Sequence, residues 1–348
     1  MNAIEQFLYD VLAGINSLVG NYGVSIIIFT MLMRILIMPF DYKSRKGMRK
    51  MALIQPKINE LQKKYANDQQ KLQQKQAELM KKEGYNPLSG CLPLLLTWPI
   101  MFAMFAAMRG IANEQMALQA FRYLAGETNI IAAADRFLWV KNIWMPDSLF
   151  ASIAPNAQAL NMIPANMWQR ALETLSEGQL AAVTQSIAAV SETALDFSTS
   201  DAVKTSVATI LTALGQMPGY VEAVATVPGW ANVNFFLFSI TLYKQYNGLL
   251  ILPVLAGVSQ ILQYKFNPAM NESQQTQQNS QANGMNTFMK YFFPILSVFW
   301  CLTSNAGFAV YWVTSTIAMW VQSVIITKIL EKKDAQKAQS VSGEGSIK

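Results

Sequence analysis

The chain has 348 residues, of which 52% are hydrophobic and only 14% charged, and its formal net charge is +6. A soluble domain usually carries about 25% charged residues, so this composition excludes a protein built for water alone. With no histidine, two cysteines far apart in sequence and no glycine-rich phosphate loop, the chain offers no His-based metal site or triad, no disulfide framework and no ATPase motif, and no cofactor is expected.

Residues 1–19 place Ile4, Phe7, Leu8, Val11, Leu12, Ile15, Leu18 and Val19 on one helical face, the pattern of an amphipathic helix lying in a membrane interface. Glu5 and Asp10 stand where a signal peptide would carry positive charge, so this segment is expected to be retained. The apolar block Gly23 to Phe40 predicts a first span over 20–42. Residues 43–88 then carry twelve Lys/Arg against four acids (Glu60, Asp68, Glu78, Glu83), which marks a cytoplasmic loop. Its composition predicts a basic helical hairpin with a turn and new cap at Asn67-Asp68. The seam is sparse, with Ile54, Ile58, Leu61 and Tyr65 on one arm and Leu72, Leu79 and Met80 on the other. Such a hairpin reads as a solvated connector or as a docking element. Few aromatics accompany its charges, so no nucleic-acid function is expected.

Cys91 to Met108 predicts a second span over 89–112, and 113–246 follows as a long outer loop. From Arg109 to Lys244 there are seven basic and ten acidic residues, the reverse of the first loop. Helical runs such as Val203, Val207, Ile210, Leu211 and Leu214, between a Ser200-Asp201 cap and Gly215, predict a small helical insert there. The remaining elements are a third span over 247–265, a polar linker over 266–289 with its Gln/Asn-rich stretch at 271–287, a fourth span over 290–304, a fifth over 306–328, and a disordered cytoplasmic tail over 329–348. The predicted fold class is an all-α integral membrane protein with five transmembrane helices, a cytoplasmic helical hairpin and an enlarged extracytoplasmic helical insert. The amino terminus lies outside and the carboxyl terminus in the cytoplasm.

Arg34 stands inside the first apolar block, where an arginine costs roughly 2.5–3.5 kcal/mol on insertion scales. No acidic residue lies within any of the five apolar blocks to pair with it. Either Arg34 snorkels toward the inner interface or it faces a hydrated cavity. Thr30 one turn before it, Thr97 in the second span, Gln260 and Gln263 in the third, and Tyr311, Ser315 and Gln322 along the fifth supply further polar positions, and together they predict a wet, positive cavity.

The run NYGVSIIIFTMLMRILIMPF at 21–40, the segment QPKINELQKKYANDQQKLQQKQAELMKKEGYNPLSGCLPLLL at 55–96 and the pair Tyr311-Trp312 resemble the YidC family of membrane protein insertases, which is related to mitochondrial and chloroplast insertases. The resemblance covers 15–112 strongly, FLWVKNIWMPD at 137–147 moderately and 247–328 in pattern. It implies a hydrophilic groove open to the cytoplasm and to lipid, with Arg34 at its centre and Thr30, Thr97, Gln260, Gln263, Tyr311, Trp312 and Ser315 along it. The groove would receive the hydrophilic end of a client without ATP and without covalent catalysis. The partners implied are nascent membrane proteins, the ribosome, the Sec translocon and the lipid bilayer, and the implied state is a monomer in a bacterial plasma membrane. Spans of 12–14 apolar residues cover only about 18–21 Å, which implies local thinning of the bilayer. The sequence departs from the family at Thr97-Trp98-Pro99 and at Asn305-Ala306-Gly307, and a Gram-positive type is expected because no large domain stands before the first span. Two rivals are a small-molecule anion transporter using Arg34 and a structural membrane assembly factor.

Overall fold

The computed structural model describes residues 3–84, 88–235, 238–266 and 280–344. The described elements are helices α1 (Ala3–Val19), α2 (Tyr22–Lys64), α3 (Gln69–Lys82), α4 (Leu88–Leu124), α5 (Ala157–Asn161), α6 (Ala165–Glu173), α7 (Glu177–Ala188), α8 (Ser200–Leu214) and α9 (Pro218–Ala223). Strands β1 (Val233–Phe235) and β2 (Phe238–Ile240) follow, then α10 (Ile251–Phe266), α11 (Ser280–Thr303) and α12 (Ala306–Glu344). The residues fall into two compact units. The first comprises Met1–Phe29, Ala103–Ala256 and Ser297–Val313, and the second Thr30–Phe102, Gly257–Leu296 and Thr314–Lys348.

Helix α2 is one element of 43 residues, not a span followed by a separate hairpin arm. The change from apolar to basic composition after Phe40 is a change of solvent, and the helix passes through it with Pro39 and Pro56 inside, each removing one backbone donor. In the second unit the predicted turn is present. Asp68 accepts the backbone N–H of Lys71 at 2.9 Å and starts α3. Ile54, Ile58 and Leu72 are the buried part of the seam, and Lys57 pairs with Glu83 at 2.7 Å across it.

Tyr22–Lys50 of α2 and Ala306–Gln336 of α12 are long and apolar enough to cross a membrane. Only 33% and 44% of their most apolar windows are buried, whereas a soluble core helix would be buried through most of its length. Met31, Leu32, Ile35 and Leu36 on α2 and Ile317, Val321, Ile325 and Ile329 on α12 face outward instead. A shorter apolar stretch, Lys290–Thr303, lies in α11. Exposed apolar stripes of this length need a hydrocarbon solvent.

The predicted linker and tail are partly helical. Residues 267–279 lie outside the described residues, but α11 already begins at Ser280, and α12 continues to Glu344 where a disordered tail is predicted from 329. The stretch Glu331–Gln339 is made of Glu, Lys, Asp, Ala and Gln, has no Gly or Pro and simply prolongs the helix before it.

In the first unit, the second half of α4 and helices α6, α7 and α8 enclose a core. Trp168 is fully buried between Phe121 and Phe197, with ring centroids 5.5 and 5.7 Å away. The predicted α8 face is confirmed, with Val207, Ile210 and Leu214 buried, although the cap is Thr199, one residue before the predicted Ser200. Asn156 caps α5, and Ser176 with Gln179 forms a capping box on α7. Beside its helices the predicted helical insert also holds a short antiparallel hairpin, pairing Val233 with Ile240 and Asn234 with Ser239. Each strand alternates apolar and polar residues, VNF and FSI, but over three residues only, too short a run to signal a half-exposed strand.

Candidate functional site

Arg34 lies in the second unit and is half-buried. Its guanidinium donates to Ser315 Oγ on α12, through Nε at 3.2 Å and through Nη2. Both residues sit where the helix period puts them, Arg34 one turn beyond buried Thr30 on α2 and Ser315 on the side of α12 away from exposed Ile317. The contacts then continue along both helices. Gln322 donates to Asp41 Oδ2 at 3.0 Å, Arg45 donates to Thr327 Oγ1 at 2.9 Å and to Ser323, and Arg49 pairs with Asp334 at 3.0 Å and Glu331 at 3.6 Å. Residue numbers rise together on the two helices, so this is a parallel polar ladder between α2 and α12. Its outer faces are the exposed apolar stripes described above.

Helix α10 approaches α12 as well. Gln260 Nε2 donates to Thr316 Oγ1 at 3.3 Å, and buried Gln263 donates to Met319 Sδ at 2.9 Å. Of the predicted site residues, Thr30, Arg34, Gln260, Gln263 and Ser315 thus belong to the second unit, and Arg34 and Ser315 touch. The side chain of Thr97 lies outside the described residues. Tyr311 and Trp312 belong to the first unit, where Trp312 packs against Trp300 and Phe308 at 5.8 and 5.5 Å and Tyr311 lies 6.2 Å from Phe308.

The sequence reading finds no acid near Arg34 because it stops at the end of the apolar block. Asp41, two helical turns further on the same face, is attracted by both Arg34 and Arg45. Asp41, Arg45 and Arg49 keep a spacing of four residues along α2, but Asp41 closes the predicted first span while Arg45 and Arg49 fall in the stretch predicted as a basic loop. An Arg-Ser pair followed by an Asp between two arginines forms a polar, cation-rich strip between helices with apolar outer faces. The strip offers positive charge and hydrogen-bonding hydroxyls and amides, which suit contact with polar or anionic groups.

The segment at 137–147 is a structural knot in the first unit. Fully buried Asp147 accepts the backbone N–H groups of Leu249 at 2.8 Å and Leu252 at 2.7 Å, at the start of α10, and Trp139 Nε1 at 3.1 Å. Asn247 donates to the carbonyls of Asn142, Met145 and Pro146. Ala306 and Gly307, the first residues of α12, donate their backbone N–H groups to the carbonyls of Met145 and Ile143, both at 2.9 Å. Trp144 donates to Asp135 at 2.7 Å, whose carboxyl burial pushes above the usual range. Helix α1 is tied in by Glu114, which accepts from Tyr9 at 2.9 Å and pairs with Arg170 at 3.1 Å, while the Arg170 guanidinium lies 4.4 Å from the Tyr9 ring centre. Burial and the Glu114 carboxylate raise the Tyr9 phenol well above its ordinary value. A cavity of about 320 Å³ beside α8, α9 and the hairpin is lined by Asn156, Tyr220, Asn232 and Tyr243 among others, with no charged group.

The model of the 60Kd inner membrane protein family matches residues 14–195 and 203–334. Membrane protein insertase YidC of Fusobacterium nucleatum is 38% identical over 140 residues, 40% of this chain and 60% of that protein. The protein of the same name from Clostridium tetani is 35% identical over 161 residues, 45% of this chain and 65% of the relative. That of Pelodictyon phaeoclathratiforme is 36% identical over 146 residues, 42% of this chain and 22% of the relative. The chain therefore spans less than two thirds of the length of each of these relatives. With a match over most of its length, the chain belongs to the 60Kd inner membrane protein family, the family of YidC, and is a mostly helical, membrane-inserted protein of the bacterial inner membrane.

Proposed function

We propose that this chain is a membrane protein insertase that accepts the hydrophilic end of a client at the polar strip around Arg34. The observation that carries the reading is a half-buried arginine hydrogen-bonded to Ser315 within helices whose other faces are apolar and exposed. A hydrophilic segment loses several kcal/mol entering hydrocarbon, and a strip of Arg, Ser, Thr and Gln offers replacement hydrogen bonds. Thr30, Gln260, Gln263 and Ser315 serve as the uncharged part of the strip, and Arg34 attracts acidic ends. Thr97, Tyr311 and Trp312 are not needed for this reading.

In this proposal α2, α4, α10, α11 and α12 supply five spans, with the amino terminus outside and the carboxyl terminus in the cytoplasm. The twelve basic residues of 43–88 are what supports that orientation. The α2–α3 hairpin and the end of α12 meet the ribosome, the Sec translocon is an optional partner, and a single copy works without ATP. The names of the relatives support the activity.

The test is insertion of a single-span client with an acidic tail into vesicles containing the wild-type chain, Arg34→Ala or Arg34→Lys. Loss with Ala and rescue with Lys supports the charge as the working element. Normal insertion with Ala refutes it. Flux of a small anion that depends on Arg34 in vesicles without a client would favour the transporter reading instead. A structural assembly factor would leave a cysteine placed at Thr30 unreactive toward water-soluble reagents.

A further inference from the structure

We propose that the turn at Arg136–Lys141 is a membrane anchor whose Leu138 tip enters the outer lipid leaflet while Arg136 and Lys141 bind anionic phospholipid headgroups. The proposal rests on the membrane reading of α2 and α10 and is independent of insertase activity.

Phe137 and Val140 exchange backbone hydrogen bonds at 3.0 and 2.9 Å and close a two-residue turn with Leu138 at its tip. Leu138 has φ 53 and is 73% exposed. A branched apolar residue in the left-handed region costs roughly 1 kcal/mol or more, and its exposure to water adds to that cost. Nothing within the turn compensates. The rest of the turn is tightly fixed. The Phe137 ring covers Gly23 at the start of α2 so closely that a Cβ there would collide with it, and Asn21 Nδ2 donates to the Arg136 carbonyl at 2.8 Å. Val140 is buried, and Trp139 is held by Asp147. Among the apolar residues of the turn Leu138 is the exposed one, a rigid apolar point.

Three further observations on the same unit name the occupant. Exposed Arg136 and Lys141 flank the tip, so an apolar point stands between two cations. Lys141 Nζ lies 4.4 Å from the ring centre of exposed Tyr246, and Trp139 and Tyr246 are the side chains that favour the headgroup level. The knot also fixes this turn beside the first turns of α2 and α10, where Val24 and Ile28, Val254 and Leu255, and Leu249 just before α10 are exposed apolar residues. The turn is therefore continuous with surface that faces hydrocarbon. An apolar tip with flanking cations at that level fits an anionic lipid leaflet, since each basic residue near such a surface is worth about a fivefold gain in residence.

The experiment uses the full chain in nanodiscs, with Cys91→Ser and Cys301→Ala and a nitrobenzoxadiazole dye on Leu138→Cys. Gly178→Cys on α7, a position open to solvent, is the control. With phosphatidylglycerol present, the dye at 138 should be reduced by dithionite severalfold more slowly than at 178, and nitroxide-labelled lipid should quench it strongly. Arg136→Gln with Lys141→Gln should weaken that quenching in anionic discs and leave it unchanged in purely zwitterionic ones. Equal dithionite rates at 138 and 178 overturn the anchor. Protection without lipid quenching also overturns it, because protein would then cover the tip. Quenching in anionic discs that ignores the loss of both cations overturns the headgroup assignment.

Discussion

Asp147 is the residue on which the outer knot depends, and replacing it with alanine tests that claim quantitatively. Its buried carboxylate accepts two backbone donors, from Leu249 and Leu252, and the indole N–H of Trp139. A hydrogen bond to a charged group contributes about 1.5–3 kcal/mol, so three at the low end give about 4.5 kcal/mol. Water entering the vacated space returns part of this, and we expect about 3–5 kcal/mol of local destabilisation at the start of α10. Hydrogen exchange of the Leu249 and Leu252 amides in detergent reads it directly. A loss of about 4 kcal/mol predicts exchange about a thousandfold faster. Asp147→Asn should lose roughly half as much, because its amide oxygen at the Oδ2 position still accepts from Leu252 and Trp139 while its nitrogen faces only the Leu249 donor. Unchanged exchange in Asp147→Ala would refute the knot as the element that positions α10.

Trp168→Ala should cost about 3–5 kcal/mol of insert stability, since a fully buried indole between two rings is removed, whereas Trp168→Phe should cost much less because it also deletes a buried indole N–H without a partner. Thermal unfolding of the two variants checks the difference. Tyr123 and Tyr220, with rings 5.4 Å apart, are each pushed by burial from 10.0 up to about 12. Both pKa values are raised in the folded state, so their contribution is complete below pH 10.0 and fades as pH climbs toward 12, by about 3 kcal/mol apiece. Tyr123→Phe should flatten that alkaline decline, and a decline of the same steepness in the variant would contradict the assignment.

Much of this molecule is legible from its sequence where a local signal has a local cause. The Asp68 cap, the apolar face of α8 and the short third and fourth apolar blocks all correspond to observed helices. The partnership of Arg34 with Ser315 followed from polar residues on two apolar helices, but their direct contact across 281 positions did not. Errors arose where composition changes but structure does not. At Phe40-Asp41 the charge pattern switches while α2 continues, so Asp41, inside the predicted first span but beyond its apolar block, is missed as a neighbour of Arg34. The polarity of the stretch from 329 predicts a disordered tail, but polarity at a helix end marks solvent as readily as disorder, and the helix runs on to Glu344. The β1–β2 hairpin escaped because each strand is only three residues long, too short for its alternation of apolar and polar residues to register as a signal.

The continuity of α2 has a mechanical consequence. No break separates Arg34 from Lys64, so thirty residues, about 45 Å of helix at 1.5 Å each, act as one lever within the second unit. A small tilt imposed at the basic end is carried along its length to the arginine. Its compliance is concentrated at Pro56 and Pro39, where the backbone ladder lacks a rung, and the second of these joints stands five residues from Arg34. Stiffening Pro39 would change how faithfully a pull on the hairpin reaches the guanidinium, without altering any group that touches it.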